Sequence, residues 1–223
     1  MGRLHLGTIL GTTIAVDFSF IILIAFFVFF NADAMGMPEA LLWAPVILIS
    51  ILFHELAHAA AIGIFGYGGS EIVLGGFGGA TMNRRNAKHW QDMLISAAGP
   101  AASFLLAFAV SALFVTVPYL RRDRFFVNFI PLLSYANVLW GKFNLLPLIP
   151  LDGSGILRNF LAMFTRDRNA FFVTIWASFI TGAAVIAWAL LRRDFFLALF
   201  ILWFLRITWE QWQFFRKYNR TDL

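Results

Sequence analysis

Long apolar runs separated by short polar connections set the pattern of this chain. Residues 14–30, 41–65, 93–117, 125–149 and 170–191 are each of the order of the ~20 residues a helix needs to cross a hydrocarbon core of about 30 Å. The run at 195–205 is shorter, but Trp209, Trp212 and Phe215 continue it as an amphipathic extension toward the interface. The pattern predicts an all-α polytopic membrane protein of about six transmembrane helices. Residues 1–223 are read as a single membrane-embedded domain with core spans at 41–65, 93–117 and 125–149. Two connections are more than turns. Within 66–91, Glu71-Ile-Val-Leu and Ala80-Thr-Met flank Gly75-Gly-Phe-Gly-Gly, which predicts a small β-hairpin or re-entrant loop lying against the membrane. The more polar stretch at 151–169 has room for a short helix.

Composition agrees with a bilayer as solvent: 61% of residues are hydrophobic and only 13% charged, well outside the range of soluble domains. The formal charge of +5 lies in short loops rather than along one stripe, so no nucleic-acid partner is expected. Cysteine is absent, which excludes disulfides, thiolate metal sites and a cysteine nucleophile. Asp17 and Ser19 interrupt the first apolar run and no small-residue cleavage pattern follows it, so the N-terminus reads as a retained first helix. In a six-span arrangement, one side holds ten basic residues: Arg3, Arg84, Arg85, Lys88, Arg158, Arg166, Arg168, Arg216, Lys217 and Arg220. The other side holds five: Arg121, Arg122, Arg124, Arg192 and Arg193. The imbalance puts both termini in the cytoplasm.

The chemistry is concentrated in 41–65, which contains His54-Glu-Leu-Ala-His58. Histidines four apart lie on one helical face a turn apart and can share a zinc ion. Glu55 beside them is placed to act as general base on a water that zinc acidifies toward pKa ~7. Three ionisable groups inside a span are costly unless they face a cavity or bind something, which makes function the default reading. A catalytic zinc takes a third protein ligand. His5 and His89 sit at membrane-boundary positions and read as interfacial side chains. Asp152 is the better candidate, because Pro147 and Pro150 break the helix before it and unwound backbone at membrane depth belongs beside a cavity. Asp17 reads as a cap or interfacial group, and Trp203, Trp209 and Trp212 as part of an aromatic belt.

These residues resemble the site-2 protease family of intramembrane zinc metalloproteases. The likeness rests on H-E-x-x-H at 54–58, on Asn144, Pro147, Pro150, Leu151, Asp152 and Gly153 in the Asn-x-x-Pro-x-x-Pro-Leu-Asp-Gly pattern, on Gly99-Pro100, and on residues 13–20 leading into the first span. It implies zinc held by His54, His58 and Asp152, with Glu55 as the base and Asn144 orienting the substrate or stabilising the oxyanion. It implies a transmembrane protein substrate cut within the bilayer of a prokaryotic cell membrane. A minimal member without PDZ or CBS domain is expected, leaving substrate choice to the membrane domain or to an accessory membrane protein. The glycine-rich segment, with Gly75, Gly76 and Phe77 at its turn, is expected to receive the substrate as an added strand. Spans outside the three motif-bearing ones are the candidates for a moving gate. A zinc transporter and a non-catalytic membrane scaffold are the alternative classes.

Overall fold

The computed structural model describes residues 3–9, 11–83 and 86–218. Arg84, Arg85 and Arg220, which enter the loop-charge argument, lie outside the described residues. The chain begins with a hairpin, β1 (Arg3–Ile9) and β2 (Thr12–Asp17), and then enters helices α1 (Phe18–Met35), α2 (Met37–Ala40) and α3 (Trp43–Ile64). A second hairpin follows, β3 (Glu71–Gly75) and β4 (Gly78–Met82). Next come α4 (His89–Thr116), a 3-10 turn at Pro118–Arg121, α5 (Arg124–Asn144), α6 (Asp152–Ala162), α7 (Asp167–Leu191) and α8 (Phe195–Tyr218).

The first helix thus starts later than the apolar run that foreshadows it. Residues Thr12 to Val16 include four β-branched side chains, which favour extended backbone. They are captured on both sides, antiparallel to β1 and parallel to β3 from Thr13 opposite Glu71 to Val16 opposite Leu74. Asp17 then caps α1, accepting from the backbone N–H of Ser19 at 2.9 Å and from its hydroxyl at 2.5 Å. These bonds, the hydroxyl's first, hold the Asp17 carboxyl below the usual carboxylate range. The glycine-rich segment is the hairpin expected of it, and the four strands form one sheet in the order β1-β2-β3-β4.

The chain parts into two compact units. The first, Met1–Ala87 with Ala98–Lys142, holds the sheet, α1 to α3 and most of α4 and α5. Its core joins Ile14, Ile72 and Leu74 of the sheet to Phe20, Val46, Ile51 and Leu133 of the helices. Polar pairs link its helices: Asn137 Nδ2 donates to Ser50 Oγ at 2.9 Å, and the Ser111 and Ser134 hydroxyls are 2.8 Å apart. Such bonds in membrane proteins average about 0.6 kcal/mol. The second unit, Lys88–Ala97 with Phe143–Leu223, packs Leu148, Leu151, Ile201 and Phe204 together.

Among the described residues, five helical segments are long and apolar enough to cross a membrane: Phe18–Met35, Met37–Ile64, His89–Thr116, Asp167–Leu191 and Phe195–Lys217. They mark an integral membrane protein. Helix α5, of 21 residues, is long enough but not among the five, since Arg124, Asn128, Asn137 and Lys142 lower its hydropathy. It ends at Asn144, five residues short of the predicted 149, and the chain runs non-helically to Leu151.

Candidate metal centre

Helix α3 buries one stripe: Val46, Ile47, Ser50, Ile51, His54, Glu55, His58, Ala59 and Ile62. The three- and four-residue steps between them are those of one helical face. The H-E-x-x-H residues therefore point inward, with His54 2%, Glu55 5% and His58 7% exposed. The two imidazole rings lie 4.9 Å apart at 76°.

Their Nε2 atoms converge on the same spot of α4. A β-carbon added to Gly99 would fall on His58 Nε2 and lie 2.5 Å from His54 Nε2. The absent side chain leaves room for a group bound by both nitrogens. One turn further along α4, Ser103 is fully buried and its Oγ is 3.0 Å from His54 Nδ1. With the Nδ1 proton donated to that hydroxyl, Nε2 carries the free lone pair that a metal requires. Trp140 of α5 meets the His54 ring edge-to-face at 6.4 Å.

Glu55 is held from the other hairpin. Thr81 Oγ1 donates to Glu55 Oε2 at 2.7 Å and lies 3.1 Å from the Glu55 carbonyl oxygen. Two residues earlier on the same strand, a β-carbon at Gly79 would come within 2.6 Å of both Glu55 Cδ and Oε1. A side chain at Gly78 would run into the Trp140 ring, so consecutive glycines let β4 lie close against this face.

Asp152 is the first residue of α6 and half-buried. The turn leading to it is tight: a β-carbon at Gly153 would strike the carbonyl oxygens of Leu145 and Leu146. His54, His58 and Asp152 each offer one ligand atom for a metal ion. Two imidazole nitrogens and a carboxylate oxygen are borderline donors of the kind zinc takes.

The other expected site residues are distributed as follows. Asn144 closes α5 and is buried, 8% exposed. Gly75 and Gly76 are half-buried at the β3–β4 turn, and Phe77 is exposed. The turn itself is anchored by the Gly76 N–H, which donates to Ser19 Oγ at 2.9 Å. His5 is exposed on β1, and His89 Nε2 pairs with Asp167 Oδ1 at 3.1 Å. Ser103, Thr81 and Gly79 carried no motif of their own. Gly99 and Ser103 are spaced i, i+4, and Gly79 and Thr81 i, i+2, the periods at which a helix and a strand present one face.

Comparison with known proteins gives the family and the fold. The profile of the Peptidase M50B-like family matches residues 19–166. Rip3 of Mycobacterium tuberculosis is 33% identical over 168 residues, 70% of this chain and 43% of that protein. A zinc metalloprotease of Methanocaldococcus jannaschii is 29% identical over 168 residues, 71% of this chain and 45% of that one. The chain thus spans less than half the length of these relatives. The solved site-2 protease from Methanocaldococcus jannaschii shares the fold, with a TM-score of 0.66 over 94% of both chains at 21% identity. With the match covering most of the chain and including the whole H-E-x-x-H helix and Asp152, the protein belongs to the Peptidase M50B-like family.

Proposed function

We propose that the chain is an intramembrane zinc metalloprotease that hydrolyses peptide bonds in or near transmembrane segments of membrane-protein substrates. Residues 1–223 act as one catalytic membrane domain, with both termini on the cytoplasmic side of a prokaryotic cell membrane. One observation carries the reading: His54 and His58 turn their Nε2 atoms to one spot beside Gly99, while Glu55 between them is held by β4.

In this reading His54, His58 and Asp152 are the three zinc ligands, a set that leaves one position open as catalytic rather than structural sites do. When bound, zinc supplies Lewis acidity that polarises the scissile carbonyl and acidifies a water. Glu55 takes the proton of the attacking water and passes it to the leaving amine. Asn144 donates to the carbonyl oxygen as negative charge develops there. Strand β4 is an edge strand of the sheet, as β1 is at the other side, so an unwound substrate can pair with it through backbone hydrogen bonds beside Gly75, Gly76 and Phe77. Gly78 and Gly79 keep that strand near the base. Substrate choice rests with this membrane domain or with an accessory membrane protein.

Replacing Glu55 by Gln tests the assignment. Zinc content should stay at one ion per chain, while cleavage of a transmembrane reporter in vesicles falls ~10²–10⁴-fold. Cleavage at the wild-type rate removes Glu55 as the base. Zinc uptake into vesicles that is lost in His54→Ala, with no cleavage by the wild type, would assign transport instead.

A further inference from the structure

The second unit contains a cavity of about 530 Å³ where α7 begins and α8 ends. Its wall carries three arginines: Arg166 caps α7, Arg168 sits in its first turn, and Arg216 lies in the last turn of α8. Among the described residues, no carboxylate lies within ion-pair distance of any of them. The acidic residue of the same turn, Asp167, is engaged by His89. Three guanidinium groups around one cavity, with no ion pair among the described residues, repel each other unless an anion joins them. The first turn of α7 adds the positive end of a helix dipole.

The rest of the wall is aromatic. The Arg216 guanidinium lies over the Trp212 ring at 5.9 Å, and Trp212 is stacked on Phe215 at 5.8 Å and packed against Phe172 at 5.9 Å. The rings continue along both helices past the cavity: Trp176 meets Trp212 at 6.3 Å, and Phe179 meets Trp209 at 6.4 Å. Phe172, Trp176 and Trp209 are exposed along this track. A small anion would use the arginines and leave the track unused. An amphiphile with an anionic head and a hydrocarbon tail uses both. Basic pockets between membrane helices are suited to such headgroups.

We propose that this cavity binds an anionic phospholipid, its phosphate held by Arg166, Arg168 and Arg216 and an acyl chain lying along the Trp212, Trp176 and Trp209 rings. The site is independent of the proteolytic reading and uses none of the metal-centre residues.

The test titrates the full chain in neutral detergent with phosphatidylglycerol brominated on its acyl chains, which quenches nearby tryptophans. Brominated phosphatidylcholine, unbrominated phosphatidylglycerol and inorganic phosphate serve as comparisons. Brominated phosphatidylglycerol should quench saturably at concentrations where brominated phosphatidylcholine does not. Unbrominated phosphatidylglycerol should reverse the quenching. Each Arg→Gln change should weaken binding about fivefold, and all three together ~100-fold. A control with Arg121, Arg122 and Arg193 changed to Gln loses the same charge and should bind as the wild type does. Lipid-free melting temperature and helicity establish that both variants are folded. Equal quenching by both lipids, or equal loss in the control, overturns the proposal. So does saturable phosphate competition without acyl-chain quenching, which would assign a phosphate site.

Discussion

Replacing Gly99 by Ala separates the metal centre from the fold that carries it. The added methyl would stand 2.5 Å from His54 Nε2 and closer still to His58 Nε2, against an ordinary contact of 3.4 Å or more. His54 Nε2 must therefore recede by about 0.9 Å, and His58 Nε2 further. Both atoms end flexible side chains, so the rings can turn away without parting α3 from α4. The global cost is that of mild overpacking, about 1–3 kcal/mol. A metal site has no such tolerance, because ligand distances must hold to about 0.2 Å. The retreat also strains the Ser103 bond that sets the His54 tautomer, and loss of that kind of support alone costs ~10–100-fold in affinity. Zinc affinity of Gly99→Ala, measured by competition against a fluorescent chelator, should fall at least that far. The detergent melting temperature measured without metal should shift by only a few degrees. Wild-type zinc affinity with intact cleavage would refute the reasoning, for Nε2 would then not face the metal.

Gly79→Ala pushes its methyl into Glu55, so cleavage should fall about 10-fold or more with zinc content unchanged, as would be seen by mass spectrometry beside a reporter assay. Thr81→Val removes the donor to Glu55 Oε2 and should lower kcat about 10-fold with KM unchanged, whereas Thr81→Ser restores it. Ser103→Ala should weaken zinc ~10–100-fold while leaving helicity unchanged. A double-mutant cycle on Ser50→Ala and Asn137→Ala should give a coupling of about 0.6 kcal/mol in detergent unfolding; a value near zero would mean that α3 and α5 are joined by packing alone.

Much of the site could be read from residue order because its parts repeat at helical spacing. His54 and His58 fall on one face, and a glutamate between them inside a span is too costly to serve packing alone. The proline-broken stretch before Asp152 likewise signals non-helical backbone. The N-terminal sheet was less legible. Residues 14–30 are apolar apart from Asp17 and Ser19, and hydropathy does not distinguish a strand that feeds a helix from the helix itself. The informative residue is Asp17, whose short carboxylate caps α1 where the strand ends. The parallel pairing of Thr13 with Glu71 joins residues far apart in the chain, and local periodicity contains no term for it. Gly99, Ser103 and Thr81 acquire meaning only once α4 and β4 lie against α3. Helix α5 shows the opposite limit, since its polar residues lower its hydropathy while Ser134 and Asn137 link it to its neighbours.

Ser19 joins two elements through one hydroxyl. It gives its single proton to Asp17 and uses a lone pair to receive the Gly76 N–H. The first corner of α1 and the bend of the β3–β4 hairpin are therefore hinged on the same oxygen. If α1 tilts, it must either carry the hairpin bend along or give up the bond donated by the Gly76 N–H. The start of α1 and the bend of the hairpin are then set together, and a change that loosens one would misalign the other.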